Sequence, residues 1–467
     1  MDIEYLLEFE NNNEDILNFR LFSDEILIWP YLRFPILHKA ITTDLHLQPH
    51  FSGRKNINTD LEYYKEAFSN NPFREKRGYD IVMLGTARGN TIKKNNRFFN
   101  YFYDYFALCF PQESLIIEDS FQEQFYLPRY FNNFRTHDGI MLSVFEKARH
   151  LELNSNDALQ IKEFINFFKK RFPIKLDENF YNQCICMLRA YAKRLELYSE
   201  YYRILFYLLK PKIIFLHCAS YGERSYIVKW AKDMGIKVGE FQHGAVNRNH
   251  IAYNYSKMIH DHEEYQKYLP DYFLTYGEYW NKSTRTPSKK INIGNPFYTE
   301  RQIEFSKKRT QKNEQKKIMI ISQGTITEVL VNITKELATK VKNQDITIIY
   351  RLHPGEVPFI ERYKDLYNYV NVQVSNSGDI YDLIYMSDYI IGVYSTAVLE
   401  SIGFNKPIFI LEHELSTKIP KDIGFRFKNA EELYNLLNYK SKSVIDGAYY
   451  WNNGWDVNYK NFINSIL

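Results

Sequence analysis

Cysteine is scarce in this sequence, with four residues in 467: Cys109, Cys184, Cys186 and Cys218. The closest two are separated by a single residue, and the spacing of the set fits neither a disulfide framework nor a zinc site. The acidic start, Met1-Asp2-Ile3-Glu4, lacks the basic region and apolar run of a secretory leader. We therefore expect reduced thiols, a cytoplasmic location and no metal ion.

Long apolar runs and an excess of one charge are also missing. No stretch approaches the ~20 apolar residues that a membrane span needs, although contact with the inner face of a membrane is a further option. Lys and Arg number 60 against 56 Asp and Glu, for a net charge of +4. This balance predicts no nucleic-acid partner.

Short apolar runs that end in small or polar residues recur along the chain and predict buried parallel strands with crossover helices. The predicted fold is α/β, with two doubly wound Rossmann-like domains facing a central cleft. We assign residues 1–295 to an acceptor-side domain with helical insertions and 296–445 to a nucleotide-donor-binding domain. Residues 446–467 are predicted to form a C-terminal helix that packs back on the first domain.

Several intervals between the strands have the apolar spacing of helices. The predicted helical ranges that matter below are 98–110, 223–235, 327–341, 377–386 and 395–403.

Two polar loops follow predicted strands of the second domain, at the edge where doubly wound sheets bind ligands. In the first, Gly324 and Thr325 form a small turn that lets backbone amides approach a diphosphate, although an ordinary strand-to-helix turn has the same pattern. In the second, a strand delivers Arg351 and His353 two residues apart, and Pro354 then turns the chain. An imidazole and a guanidinium placed there suit a phosphate or a leaving-group oxygen.

A third loop of this domain ends a strand in two hydroxyls, those of Ser395 and Thr396. Both can bind phosphate with side chain and amide together. Glu400 lies four residues after Thr396, on the next turn of the predicted helix, where a carboxylate can accept from both hydroxyls of a ribose. The alternative is that the hydroxyls only cap the helix and that Glu400 is a surface glutamate. The position of these residues at the end of a strand favours a functional role.

In the first domain the candidates again follow strands. His243, in Gln242-His243-Gly244, can act as a general base because its ordinary pKa suits neutral pH. Glu223 is a rival for the catalytic base, although a carboxylate at a helix start is often structural. A glycine loop that includes Gly85, Thr86 and Arg88 is predicted to face the acceptor, as are Gln242 and Gly244 beside His243.

Together these motifs resemble the GT-B glycosyltransferases of bacterial surface polymers, with teichoic-acid glycerophosphotransferases, polysialyltransferases and capsule Kdo transferases as the nearest look-alikes. The resemblance covers mainly residues 212–300 and 317–412. It implies that His353, Ser395 and Thr396 bind donor phosphate, Glu400 the ribose, and that His243 assists the reaction. Teichoic enzymes usually show a Ser-Ser pair and an aspartate, so Ser-Thr and glutamate here favour a sugar donor.

The predicted function is a nucleotide-sugar-dependent glycosyltransferase acting in capsule, lipopolysaccharide or related polysaccharide synthesis. Its co-substrate would be a CMP-, UDP- or GDP-linked sugar, and its acceptor an oligosaccharide or lipid-linked glycan. Two alternatives stay open: a sugar-nucleotide epimerase of the same fold, and a non-catalytic polysaccharide-assembly protein.

Overall fold

The computed structural model of the chain describes residues 3–44, 61–308, 315–438 and 446–467. These residues form two compact units. The first comprises residues 3–44, 61–296 and 454–467, and the second comprises residues 297–308, 315–438 and 446–453. The sequence predicts a domain boundary between residues 445 and 446. Residue 445 lies outside the described residues.

The strands of the first unit are short runs rich in branched and aromatic side chains, which favour buried pleated structure. They are β1 (Arg20–Leu21), β2 (Ile26–Leu27), β3 (Ile81–Thr86), β4 (Ile92–Lys94), β5 (Arg97–Phe99), β6 (Ser114–Asp119), β7 (Phe134–Thr136), β8 (Ile213–Leu216), β9 (Lys237–Phe241), β10 (Tyr272–Thr275) and β11 (Lys289–Asn292).

Within the described residues, the main sheet of this unit has the order β11-β10-β9-β8-β3-β6-β7 and is parallel throughout. The chain adds strands to one side of β3 and then returns to add β8 to β11 on the other. The switch point therefore lies between β3 and β8, and ligands of such sheets bind outside the carboxyl ends of the strands at this point.

Successive residues of β3 alternate between two cores, as a strand buried on both faces requires. Val82 and Leu84 belong to one core, and Ile81 and Met83 to the other. The sheet of the first unit is therefore covered on both faces.

The strands of the second unit are β12 (Lys316–Ile321), β13 (Ile346–Arg351), β14 (Val372–Ser375), β15 (Tyr389–Gly392), β16 (Ile408–Leu411) and β17 (Phe425–Phe427). They form a parallel sheet in the order β14-β13-β12-β15-β16-β17. Its switch point lies between β12 and β15. Both sheets are doubly wound, so the α/β fold class predicted from the sequence is confirmed.

The helices fill the intervals between the strands. They are α1 (Ile3–Asn11), α2 (Trp29–Asp44), α3 (Leu61–Ser69), α4 (Asp104–Ala107), α5 (Asp138–Arg149), α6 (Ser155–Arg171), α7 (Glu178–Leu209), α8 (Ser225–Asp233), α9 (Lys257–Asp261), α10 (Glu263–Gln266), α11 (Glu278–Ser283), α12 (Pro296–Lys307), α13 (Thr327–Lys340), α14 (Ile380–Met386), α15 (Thr396–Glu400), α16 (Ala430–Asn438), α17 (Gly447–Tyr450) and α18 (Trp455–Asn464).

Segments of 3-10 helix, most of them three to five residues long and one of 15 residues with a kink at Phe359, connect several of these elements. They are Glu14–Asn18, Pro72–Arg74, Ala87–Gly89, Ala219–Tyr221, Ile251–Tyr253, Gly324–Ile326, Pro354–Asn368, Ser401–Phe404 and Glu414–Lys418.

The longest helix, α7, shows how the sequence specifies these elements. Asp177 caps it by accepting from the Phe180 N–H at 2.7 Å. Buried side chains then recur every three or four residues, among them Tyr181, Cys184 and Leu188. Among the described helices, including the 32-residue α7, none combines the length and apolar character that crossing a bilayer needs.

Some helical predictions were wrong at their ends or in their type. Residues 98–110, predicted as one helix, contain the end of β5 and the short α4, because Asn100 and Asp104 hydrogen-bond the backbone into a turn. The helix predicted from Glu223 begins at Ser225, after Gly222 in a left-handed conformation with φ of 83°. The helix predicted over 395–403 is α15 followed by a 3-10 turn.

Candidate functional site

Three neighbouring loops of the second unit carry the residues predicted to bind the donor. Because β13, β12 and β15 are adjacent and parallel, the segments that follow them leave the same edge of the sheet, beside its switch point. The predicted residues lie there in order: Gly324 and Thr325 after β12, Arg351 at the end of β13, His353 and Pro354 after it, and Ser395, Thr396 and Glu400 after β15.

A buried carboxylate ties the first two loops together. Glu356 is 2% exposed and accepts from Ser322 Oγ at 2.8 Å and from the His353 backbone N–H at 2.7 Å. The Tyr363 hydroxyl donates to the same carboxylate. A Cβ on Gly324 would lie 2.8 Å from Glu356 Cγ, so the glycine gives this side chain room against the loop. The loops after β12 and β13 are therefore held in a fixed relation.

The His353 side chain is exposed and has a defined tautomer. Its Nδ1 lies 3.1 Å from the Gly355 N–H and accepts from it, which makes His353 the N-cap of the following 3-10 helix. A neutral imidazole that accepts with Nδ1 carries its proton on Nε2. His353 thus has an Nε2–H donor of the kind that binds a phosphate oxygen.

The third loop carries the hydroxyl pair. Ser395 Oγ caps α15 by accepting from the Ala397 N–H at 3.3 Å, which leaves the Ser395 hydroxyl hydrogen to donate elsewhere. Gln323 Nε2 donates to Tyr394 Oη at 3.1 Å, so this loop is also bonded to the loop after β12. The site consists of three connected loops.

Glu400 ends α15 and is half-buried. Burial raises the pKa of its carboxyl to about 7, although a hydrogen bond with Tyr381 acts in the opposite direction. The side chain is thus poised between its neutral and charged forms at neutral pH. When ionised it can accept from a pair of vicinal hydroxyls, as predicted for a ribose.

Arg351 makes several hydrogen bonds inside the second unit. Its guanidinium donates to Ser375 Oγ at 3.1 Å, to the Gly378 carbonyl at 2.7 Å and to the Ser377 carbonyl. The side chain is 9% exposed. Arg351 therefore stabilises the loop after β14, and its role at a phosphate stays a prediction.

In the first unit, the predicted glycine loop begins inside β3, because Gly85 and Thr86 are the last two residues of this strand, next to the switch point. A Cβ on Gly85 would lie 2.5 Å from the ring of Tyr103, so glycine at this position lets that ring cross the strand. Tyr103 Oη lies 2.6 Å from His217 Nδ1 at the end of the neighbouring β8. Burial, and next the proximity of His243, lowers the pKa of His217 to about 3.

Thr86 and Arg88 shape the same loop. Thr86 Oγ1 accepts from the Arg88 N–H at 3.3 Å and caps a short 3-10 helix. The Arg88 side chain is exposed, and its charge contributes to the lowered pKa of His243. The predicted acceptor loop thus brings a cation near the predicted base.

His243 follows β9 and is surrounded by polar side chains. Tyr253 Oη lies 3.4 Å from Nδ1, Tyr221 Oη lies 3.4 Å from Nε2, and Cys218 Sγ lies 3.7 Å from Nε2. Burial, and then Arg88, lowers the pKa of His243 to about 4. The imidazole is therefore neutral at pH 7 and able to accept a proton.

Gln242, which precedes His243 in its motif, links two loops of the first unit. Gln242 is 2% exposed, and its side chain donates to the Gly244 carbonyl at 2.8 Å and accepts from the Tyr276 N–H at 2.9 Å. It therefore joins the loop after β9 to the loop after β10, and its amide is already engaged.

Glu223, the rival candidate for the catalytic base, is exposed in the turn before α8.

Within the described ranges of the two units, no group of three or more His, Cys, Asp and Glu side chains is arranged to hold a metal ion.

Sequence reasoning missed several residues that the structure brings to these sites: Tyr103, Tyr221, Glu240, Tyr253, Gln323 and Glu356. Two of them left a signal. Glu356 stands three residues after His353, the spacing of a capping box, and Glu240 is a carboxylate inside an otherwise buried strand. The tyrosines left none, because their contacts are made across loops.

The second unit is similar in sequence to a known protein family. A family model described as CDP-Glycerol:Poly(glycerophosphate) glycerophosphotransferase matches residues 314–447, a range that includes β12 to β17 and their loops. This match supports transferase chemistry and the resemblance to GT-B glycosyltransferases. A comparison with curated proteins finds no significant sequence match.

Solved structures of nucleotide-sugar enzymes are similar to the chain at low identity. UDP-GlcNAc 2-epimerase from Methanocaldococcus jannaschii shares 10% identity, with 82% of this chain and 99% of that chain covered and a TM-score of 0.46. The Neisseria meningitidis UDP-GlcNAc 2-epimerase bound to UDP-GlcNAc shares 12%, with 83% and 99% covered and a TM-score of 0.45. A UDP-forming α,α-trehalose-phosphate synthase from Burkholderia vietnamiensis shares 10%, with 83% and 97% covered and a TM-score of 0.44.

Proposed function

We propose that the chain is a glycosyltransferase that moves a sugar from a nucleotide-activated donor to a capsule, lipopolysaccharide or related glycan acceptor. The observation that carries the proposal is the set of three connected loops at the switch point of the second unit. They offer an imidazole N–H, two hydroxyls and loop amides on the part of the chain that a transferase family model matches.

In the proposed donor site, His353 Nε2–H and the hydroxyls of Ser395 and Thr396 bind the donor phosphate. The amides of Gly324 and Thr325 add further donors, and Glu400 accepts from the ribose. These groups stabilise the negative charge that develops on the leaving phosphate as the sugar–oxygen bond breaks. The donor is a CMP-, UDP- or GDP-linked sugar.

In the proposed acceptor site, His243 is the general base. It takes the proton of an acceptor hydroxyl, whose oxygen attacks the anomeric carbon as the nucleotide leaves. The loop with Gly85, Thr86 and Arg88 lies on the acceptor side. The acceptor is an oligosaccharide or a lipid-linked glycan.

The alternative functions differ from this proposal in the products that they form and in whether they bind a nucleotide. The family match is to a transferase and does not favour the epimerase. An epimerase converts a nucleotide sugar without any acceptor, whereas the proposed enzyme releases free nucleotide in proportion to the glycan product. A non-catalytic assembly protein would bind no nucleotide.

The first test is a thermal-shift screen of the protein with CMP, CDP, UDP and GDP. A nucleotide at 100 times its Kd adds about 2.7 kcal/mol, which corresponds to a rise in Tm of roughly 5–10 °C for a unit of this size. We expect one base to give this shift. If none of the four does, the donor site is contradicted.

A more specific test of the donor site uses the variant His353→Asn. Asparagine caps a helix as well as the imidazole does, but it has no N–H at the position of Nε2. We expect an unchanged Tm without ligand and a Kd for the nucleotide that rises roughly 10–100-fold, as for a lost hydrogen bond to a charged group. His413→Asn is the matched control, since His413 Nδ1 caps its own turn by accepting from the Leu415 N–H at 3.1 Å. Equal losses in both variants would count against His353.

A further inference from the structure

A buried chain of hydrogen bonds stands behind His243 in the first unit. Glu240, on β9, is fully buried, and its Oε2 accepts from the N–H and the hydroxyl of Ser220 at 3.0 and 2.5 Å. Its Oε1 accepts from Tyr253 Oη at 2.7 Å. Tyr253 is also fully buried, and its ring stacks on Phe273 with centroids 4.7 Å apart. Both side chains are therefore fixed in place.

This arrangement decides which nitrogen of His243 carries the proton. The Tyr253 hydroxyl has a single hydrogen, which it gives to Glu240 at the shorter of its two contacts. Toward Nδ1 of His243, 3.4 Å away, the Tyr253 oxygen can then only accept. Nδ1 is thus the protonated nitrogen, and Nε2 carries the lone pair.

We propose that Glu240 and Tyr253 are positioning residues that hold His243 in its Nδ1–H tautomer, so that Nε2 is the atom that takes the acceptor proton. The inference rests on the proposed function, in which His243 is the base. Once Nε2 is protonated, the imidazolium points its Nδ1–H at the Tyr253–Glu240 pair, where the buried carboxylate stabilises the new charge. Contacts of 3.4 Å are normal for such groups without substrate.

Other groups also face the imidazole: Cys218 and Tyr221 lie in contact with it, and the ring centroid of His217 lies 5.4 Å away. The charge of Arg88 helps to lower the pKa of His243. Burial raises the pKa of Glu240 itself to about 7. When Glu240 is ionised, or protonated on Oε2, its Oε1 accepts from Tyr253 and the Nδ1–H tautomer of His243 is kept.

The kinetic test compares Tyr253→Phe with Tyr255→Phe. Tyr255 is a buried tyrosine two residues away whose hydroxyl donates to the Ser220 carbonyl at 3.4 Å, without touching His243. We expect Tyr253→Phe to lower kcat about 10- to 100-fold, with the KM for the nucleotide sugar unchanged and the acid limb of the pH profile moved to lower pH. Tyr255→Phe should leave all three as in the wild type.

The second readout is the tautomer of His243 measured by NMR, which does not depend on enzyme activity. In protein labelled with ¹⁵N-histidine, the His243 signals, identified by their loss in His243→Ala, should report the Nδ1–H tautomer in the wild type and in Tyr255→Phe, and a mixture in Tyr253→Phe. An unchanged tautomer in Tyr253→Phe overturns the positioning role, whatever the kinetics. If the tautomer changes but His243→Ala still transfers sugar, the positioning role stands and the role of His243 as base is the part that fails.

Discussion

At the scale of single residues, Glu400 links the donor site to the stability of the second unit. The unfolded chain ionises this group near 4.5, whereas burial raises the pKa in the folded protein to about 7. Between these values the folded state binds more protons, so this residue lowers stability as pH rises from about 4.5 to about 7. The carboxyl that we assign to the ribose is thus retained against a cost in stability.

Glu400→Gln should therefore stabilise the protein above pH 7, by at most about 3.5 kcal/mol since one pK unit is worth about 1.4 kcal/mol, and have little effect near pH 4.5. Urea unfolding of the second unit at both pH values measures the difference. The exposed Glu412 offers a control through Glu412→Gln, which should leave the free energy of unfolding as in the wild type. A Glu400→Gln variant with the pH profile of the wild type would show that the group is not held as described.

Local geometry can be predicted from the sequence where the residues in contact are close along the chain. The turn after β13 follows from His353-Pro354-Gly355 alone, and the cap at Ser395 follows from a hydroxyl at a helix start. Arg351 shows the limit: its partners lie on the loop after β14, some 25 residues later, and no local spacing reveals that the loop folds over it. The Glu240–Tyr253 contact was missed for the same reason.

At the scale of elements, the donor site depends on how two loops are joined. Glu356 receives three donors, two of which come from the loops after β12 and β13. In Glu356→Gln, one end of the side chain becomes an amide NH₂ and faces one of these donors. We expect a loss of about 1–3 kcal/mol in the free energy of unfolding and a Kd for the donor nucleotide at least about tenfold higher.

Chemical denaturation and nucleotide titration of Glu356→Gln measure both quantities. Glu361, exposed on the same 3-10 segment, gives the control Glu361→Gln, which should change neither. If Glu356→Gln is destabilised but binds nucleotide with wild-type affinity, the Glu356 carboxylate does not contribute to donor binding.

Elements themselves were predictable where the pattern is strong. The buried strands follow from apolar runs, and the helical intervals between them from apolar spacing. The region 98–110 was misread because its many aromatic residues suit helix, strand and turn alike, and the side-chain bonds of Asn100 and Asp104 decide between them. The order of strands in each sheet depends on long-range packing, which a single sequence leaves open.

At the scale of the whole molecule, the chain contains two doubly wound units, each with polar side chains collected at its own switch point. The second unit offers hydrogen-bond donors suited to a phosphate, and the first offers a neutral imidazole suited to a hydroxyl. This division of chemistry is what the proposed transfer of a sugar from nucleotide to glycan requires.

Hydrogen–deuterium exchange of the protein, with and without the nucleotide that raises its Tm, measures whether the three loops of the second unit bind the donor. We expect slower exchange in the peptides that contain residues 322–327, 353–356 and 394–400, and loss of that protection in His353→Asn. Protection that appears elsewhere in the chain while these three segments exchange at their unliganded rates would contradict the donor site, and with it the proposed function.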